Sequence, residues 1–549
     1  MKHVNKKLLL SAAIAALLAG CDSGGISIEP ETVDNSVDNS VSGGTPADAN
    51  NPCASYEESG QVMQGSFDGA NCTYSASFVD SGNALTQDLF IPALDNGGVH
   101  IFEGSLFVGN NYDDDATMAA AGIAEGGDGA KLTIEAGSTI AFPDSTKFMV
   151  VNRGSQLFAV GTADAPITFT STSDAVDNAV AFDAVQQWGG MVINGFGITN
   201  KCSYDASLNT SECHVLAEGA AGKDQSNYGG DNNSDSSGQL EYVRVKHTGA
   251  EVANGDELNG ITFSAVGGET IVKNLQVYST YDDGIEMFGG AVSFENYLAM
   301  YVRDDSIDID EGWNGSITNA LVIQAETDGN HCIESDGIGS YDDKDAATID
   351  AMISAGINSR PVIDGLTCII SASGADTATH DPGAGWRFRE AIFPKITNSM
   401  VLASFNADTT GVDGSNYCLR VEDPETLVEA EMGTELQIES NIFACEDRTK
   451  GGPVGAQTLE EWAVANNNVF ADITGAVDPT AMNATQLQLL EGTPSVFSIA
   501  TGNMMVNDAP ISISPISRAY FGALSQGDLD WTQGWTYGLH DGEPLWFAN

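Results

Sequence analysis

Two acidic near-repeats constrain this chain more than any other feature: Asp282-Asp283-Gly284-Ile285-Glu286-Met287-Phe288-Gly289-Gly290 and Asp304-Asp305-Ser306-Ile307-Asp308-Ile309-Asp310-Glu311-Gly312. They begin 22 residues apart, at 282 and 304. A shift of that size is one turn of a solenoid, which stacks equivalent residues on neighbouring coils. A second register agrees with it. Ile285-Glu286, Ile307-Asp308 and Ile333-Glu334 align, preceded by Ile261-Thr262. Side chains alternate across a strand, so each isoleucine is expected inside and each following residue on one outer face.

The corners of the solenoid are also legible. Ile271-Val272-Lys273-Asn274-Leu275, Phe294-Glu295-Asn296-Tyr297-Leu298, Ile317-Thr318-Asn319-Ala320-Leu321, Ile396-Thr397-Asn398-Ser399-Met400 and Ile438-Glu439-Ser440-Asn441-Ile442 share one pattern. An apolar residue is followed by asparagine, and then a strand resumes. Asparagine tolerates left-handed backbone, and stacked asparagines hydrogen-bond along an axis. The expected class is all-β: a right-handed parallel β-helix over 98–549, with a C-terminal cap and loop insertions near 201–238 and 337–360. A disulfide-containing cap region is expected over 52–97.

The N-terminus carries an address. A basic start (Lys2, Lys6, Lys7), an apolar run from Leu8 to Leu18 and the small residues Ala19-Gly20 before Cys21 describe a secretory signal over 1–21. That run is too short to span a bilayer, which takes roughly 20 apolar residues. Leu18-Ala19-Gly20-Cys21 resembles the bacterial lipobox, which implies lipidation at Cys21 and anchoring in the cell envelope, at the outer membrane or cell surface. Asp22 resembles an inner-membrane retention signal, so the leaflet stays open. Residues 22–51 lack apolar periodicity and read as a flexible tether.

Eight further cysteines, Cys53, Cys72, Cys202, Cys213, Cys332, Cys368, Cys418 and Cys445, are an even number in an exported chain, which favours disulfides. Pairing of sequence neighbours is the simplest connectivity. No CxxC spacing points to zinc or redox chemistry. The formal charge of −56, from 77 acids against 21 Lys and Arg, excludes nucleic acid as a partner. It fits either a solvated acidic surface or divalent-cation binding.

A family resemblance rests on several motifs in order. These are Gly161-Thr162-Ala163-Asp164-Ala165-Pro166-Ile167-Thr168-Phe169-Thr170-Ser171, Trp188-Gly189-Gly190, Asp283-Gly284-Ile285-Glu286-Met287-Phe288-Gly289-Gly290 and Cys332-Ile333-Glu334-Ser335-Asp336. Tyr520-Phe521-Gly522-Ala523 and Asp530-Trp531-Thr532-Gln533-Gly534-Trp535-Thr536 close the set. Together they resemble a family of bacterial exported, often lipid-anchored parallel β-helix proteins with a pectate-lyase-like solenoid. The resemblance implies fold and export, and no family-wide activity comes with it.

The first candidate site is the acidic face: Asp282, Asp283, Glu286, Asp304, Asp305, Asp308, Asp310, Glu311, Glu334 and Asp336. Adjacent coils lie roughly 4.8 Å apart, so carboxylates from two coils reach one calcium ion, which takes six to eight oxygens. Arg303, Arg387 and Arg389, with Trp313 and Trp386 as stacking platforms, are the candidates for glycan binding, while charge compensation of the acidic wall and packing of the core are the favoured readings of the same residues. Arg420 extends the arginine face. His247, His331 and His380 are scattered, and no Ser-His-Asp or HExxH pattern appears. The leading expectation is a calcium-stabilised envelope protein that binds a polysaccharide or envelope partner without catalysis. The competing one is a lyase or hydrolase of acidic polysaccharide.

Overall fold

The middle coils of this chain each leave one residue out of the strand ladder, and that residue bends the coil. The computed structural model describes residues 50–202, 210, 212–218, 226–253, 256–325, 328–371, 383–402, 417–445, 447–470, 489–490, 496–497, 505–506, 509–510, 513–524 and 530–540. Cys21, nearly all of the tether and His380 lie outside them.

The strands Gly238–Lys246, Ile271–Tyr278, Ser293–Met300, Ser316–Ile323 and Val362–Ile369 pair in parallel and in register. Pairing skips Tyr242, Asn274, Asn296, Asn319 and Gly365 in turn. These five have φ of 52°, 51°, 63°, 57° and 78°, and Asn398 continues the series at 55°. A left-handed residue at one level bends every strand sharply there, and asparagine or glycine adopts it at least cost. The asparagines also bond along the axis. Asn296 Nδ2 donates to Asn274 Oδ1 at 3.0 Å, and Asn319 Nδ2 donates to Asn296 Oδ1 at 3.2 Å. The fifth expected corner is displaced by one residue: Ser440, with φ 57°, makes the turn. Asn441 is buried beside it, donating to the Ile396 carbonyl oxygen and to Asn468 Oδ1.

A second, ten-stranded sheet runs alongside from Leu106–Val108 to Asp447–Gly451, and every pairing in it is parallel. The inward residues stack as like on like. Ile261, Ile285, Ile307 and Ile333 line the interior from this sheet, facing Val272, Phe294, Ile317 and Ile363 from the bent one. All are buried, and each such side chain removed from water contributes roughly 1.5–3 kcal/mol. The architecture is a parallel β-helix. Parallel winding begins before residue 98, because Cys72–Tyr74 pairs with Val99–Phe102 and Leu89–Ile91 pairs with Lys131–Ile134. An antiparallel hairpin, Ser55–Glu58 with Gln61–Gln64, precedes these coils.

The four bridges join sequence neighbours: Cys53–Cys72, Cys202–Cys213, Cys332–Cys368 and Cys418–Cys445. Cys332–Cys368 staples the base of the 337–360 excursion, which carries the helix Ala346–Ala355. Near the far end the helix Leu459–Ala465 starts with a capping box, in which Thr458 and Glu461 satisfy each other's backbone N–H groups. Its Leu459, Trp462 and Ala463 are buried in the main core. Among the described residues no helix is long and apolar enough to cross a membrane.

Replacing Asn296 with alanine puts a β-carbon at a left-handed position and breaks two rungs of the ladder. The expected cost is about 2–3 kcal/mol. Asn296→Gly keeps the backbone relaxed and is expected to cost less, about 1–2 kcal/mol. Chemical denaturation of the two variants measures the difference, and equal stabilities would show that the corner conformation carries no strain.

Candidate functional site

The outward residues of the ten-stranded sheet form one unbroken column. Phe107, Val150, Val192, Thr262, Glu286, Asp308 and Glu334 stand on successive strands, followed by Arg387, Arg420 and Lys450. The column is apolar first, then acidic, then basic. A parallel column runs through Phe288, Asp310 and Asp336 to Arg389. At the corner just before these strands, Asp283 and Asp305 are stacked, and the Asp305 N–H donates to Asp283 Oδ1 at 3.0 Å.

This acidic face is covered rather than solvated. Asp283 and Glu286 are each 7% exposed and Asp305 is 3% exposed. The 201–238 excursion, which carries the Cys202–Cys213 bridge, meets the same sheet through Ala217 and Tyr228, which pack with Val192 and Phe288. Glu218 of that excursion adds negative potential at Asp282 and Glu286.

Burial and mutual repulsion act in the same direction here. Burial, reinforced by Asp304, pushes the Asp282 carboxyl up to about 8. Asp283, Glu286, Asp305, Asp308 and Asp310 are pushed well above the ordinary carboxylate range, first by burial and then by neighbouring carboxylates. Polar support is sparse. Asn259 Nδ2 donates to Glu286 and to Thr262 Oγ1, and Asn330 Nδ2 donates to Asp304 at 2.8 Å.

The geometry divides the ten expected ligands into groups. Ligand oxygens of Asp282, Asp283 and Asp304 lie within 4.8 Å of one another, as do those of Asp283, Glu286 and Asp308. Asp283 belongs to both clusters. Three acids have other side-chain partners, and Glu334 also groups with Asp305 and His331 within the same 4.8 Å. Glu311 is buried against Lys201 at 2.8 Å, and it accepts hydrogen bonds from Thr199 and Tyr228. Glu334 pairs with Arg387 at 2.5 Å, and Asp336 pairs with Arg389. Burial pushes Glu334 up, but His331, Arg389 and Arg387 outweigh it and leave the group below its usual range. Asp310 accepts from the Glu311 N–H and joins neither cluster.

The basic end is largely spent on these acids. Arg387 also donates to Glu422 at 3.0 Å, and Arg420 pairs with Glu422. Arg303 turns away from the column, donating to the Asp183 carbonyl oxygen at 3.1 Å. Trp313 and Trp386 are corrections: both are fully buried and face inward, so neither offers a ring to a sugar. Their indole N–H groups donate to the Val292 carbonyl oxygen and to Cys368 Sγ.

Sequence reasoning passed over His331 and Tyr417. The His331 N–H and Nδ1 both meet Asp305 Oδ1, at 2.5 and 2.9 Å, and Nε2 meets the Tyr417 hydroxyl at 2.8 Å. Burial pushes the imidazole down to about 4, so it is neutral near pH 7. With Nδ1–H donating to Asp305, Nε2 accepts from Tyr417. Counting the coil register one step back from Ile333-Glu334 would have brought His331 to the acidic corner. Nothing in the sequence marks Tyr417, 86 residues further on.

A family model for a pectate-lyase-like β-helix domain matches residues 111–467, most of the chain. No curated protein and no solved structure matches it. The matched span contains the asparagine corners, the acidic clusters and the basic rungs, and the chain belongs to the pectate-lyase-like β-helix domain family.

Proposed function

We propose that this chain is a lipid-anchored cell-envelope β-helix that binds hard divalent cations, of the calcium class, between coils of its ten-stranded sheet. Through them and the basic rungs it holds an anionic glycan or envelope partner without catalysis. One observation carries the reading: two clusters of carboxylates, each built on the buried Asp283 with buried or half-buried neighbours, have their oxygens within 4.8 Å of one another. Buried charges without counter-ions are strongly unfavourable. Two divalent cations sharing Asp283 offset most of the charge of the five acids. The donors are all oxygen, which suits a hard ion, and calcium accepts irregular sets of six to eight oxygens more readily than magnesium. Beyond the clusters, Arg387, Arg420 and the exposed Lys450 continue the same column. An anion lying along the axis meets metal-loaded rungs and then cationic side chains.

Calcium at about 100 times its Kd is expected to stabilise the fold by about 2.7 kcal/mol, raising Tm in calorimetry. Asp283→Asn removes the shared ligand and one buried charge. In chelator this variant is expected to melt above the parent, and calcium should no longer raise its Tm. An undiminished calcium response in Asp283→Asn would rule out the shared site.

The pH dependence has a defined sign. The Asp282 carboxyl rises from its ordinary 3.8 to about 8 on folding, so between these limits the folded state holds the extra proton. Its contribution to stability is complete below about pH 4 and is lost as pH rises through about 8. Calcium displaces that proton, so adding calcium in weak buffer near pH 7 should release acid. Asp282→Asn should release less. Binding without proton release would place the ion elsewhere.

A second reading, a lyase or hydrolase of acidic polysaccharide, is favoured by the chain of contacts Asp305–His331–Tyr417 beside Arg387. The imidazole, held by Asp305 and unprotonated near pH 7, has Nε2 placed to take a proton from the Tyr417 hydroxyl. Incubation with uronate polymers, followed by ultraviolet absorbance for unsaturated ends and by reducing-sugar release, distinguishes the two. Product formation that Tyr417→Phe lowers at least ~100-fold would replace the binding-only reading, and no product with any polymer leaves binding as the function.

A further inference from the structure

The outer face of the bent sheet is apolar where the ten-stranded sheet is charged. Leu298, Leu321, Met400 and Ile442 stack there in one column that passes through Thr367, and Met300, Ile323, Ile369, Leu402 and Ala444 form the column beside it; all are buried. What covers them comes from the far end of the chain. Phe521, Ala523, Leu524 and Leu539 belong to the same cluster, with Trp531 and Tyr537 packed against it.

The polar contacts give this segment a direction. Ser440 Oγ donates to the Ser514 carbonyl oxygen at 3.2 Å. Asn398 exchanges two hydrogen bonds with Ile516, at 2.6 and 2.8 Å. The Ala523 N–H donates to Thr367 Oγ1 at 2.9 Å. Gln276 exchanges two with Tyr537, both at 2.8 Å. From the coil of Ser440 to the coil of Gln276 the segment runs back along the axis, tying late coils to early ones.

One contact is keyed to a gap. The asparagine ladder passes through 274, 296 and 319, and at the next coil the left-handed residue is Gly365. A β-carbon on Gly365 would stand 1.7 Å from Arg518 Nη1. The guanidinium occupies the space that an asparagine side chain fills on the neighbouring coils. It donates to Asn319 Oδ1 at 2.8 Å and to Asp364 Oδ2 at 3.3 Å, and Tyr520 stacks 4.2 Å from its central carbon. Asp364 Oδ1 then accepts from Asn398, which resumes the series.

We propose that residues 513–524 and 530–540 form a clasp that locks the coils in register, and that Arg518 is its key, seated only because coil 362–369 carries Gly365 at the corner. The apolar outer face is thereby closed to solvent and to other chains by a segment of the same molecule. A side chain at 365 and the guanidinium of 518 compete for one space.

Hydrogen exchange of the full-length protein, read peptide by peptide, tests this. Gly365→Asn suits the left-handed backbone and completes the ladder, yet it expels the guanidinium. Arg518→Ala empties the site without touching the corner. Both variants are expected to exchange at least about tenfold faster within the clasp and in the outer strands beneath it, while the ten-stranded sheet keeps its parent rates. The double variant should be no faster than either single one, because both break the same contact. Parent-like exchange within the clasp in both single variants would overturn the proposal. So would acceleration spread equally over both sheets, which would mark a global loss of stability.

Discussion

Parallel, in-register pairing is the constraint from which the rest of this molecule follows. Once strands stack at about 4.8 Å with no stagger, each side chain sees its equivalents directly above and below. Isoleucine on isoleucine and asparagine on asparagine profit from this, through close packing in the one case and reciprocal amide bonds in the other. Carboxylate on carboxylate is penalised by the same geometry. The fold therefore concentrates whatever its repeats carry. Two acidic repeats placed on adjacent coils must produce a dense anionic site, with no separate design for it.

The outward column of the ten-stranded sheet shows how that penalty is distributed. Its apolar start is covered by the Cys202–Cys213 excursion, which buries Phe107, Val150 and Val192 with Tyr228. At the other end Glu334 and Asp336 are answered by Arg387 and Arg389. Between these ends stand Asp282, Asp283, Glu286 and Asp308, where burial continues and the arginines do not reach. A paired edge and an uncompensated middle are hard to explain as surface chemistry alone, since a solvated face needs no cover. The cover is what raises the proton affinity of this row of acids.

Much of this was legible because it is local and periodic. The Ile-Glu, Ile-Asp and Ile-Glu steps at 285, 307 and 333 gave the strand register, and Asn274, Asn296 and Asn319 gave the corner. Each signal lies within one repeat length of the next. What escaped reading lies between coils. Trp313 and Trp386 looked like sugar platforms because nothing in a lone tryptophan reports which way its strand faces. Ser440 took the corner from Asn441 because the buried position beside it needs an amide that bonds two coils at once. Tyr417 and Arg518 reach their partners across loop excursions of varied length, and a repeat count cannot carry register through those.

These failures share one physical cause, and it explains why the acidic site tolerates its own repulsion. A solenoid's stability is approximately a sum of coil interfaces, each coil touching only its neighbours. Here that additive pattern is interrupted by one late segment whose contacts span many coils: Ser514 is held by Ser440, Ile516 by Asn398 and Tyr537 by Gln276. Excess stability in the asparagine corner and the apolar stack can therefore be shared with coils 282–288 and 304–310, where like charges oppose folding. Without such sharing the acidic coils would be the point at which the helix opens. With it, they keep the parallel register that stacks their carboxylates.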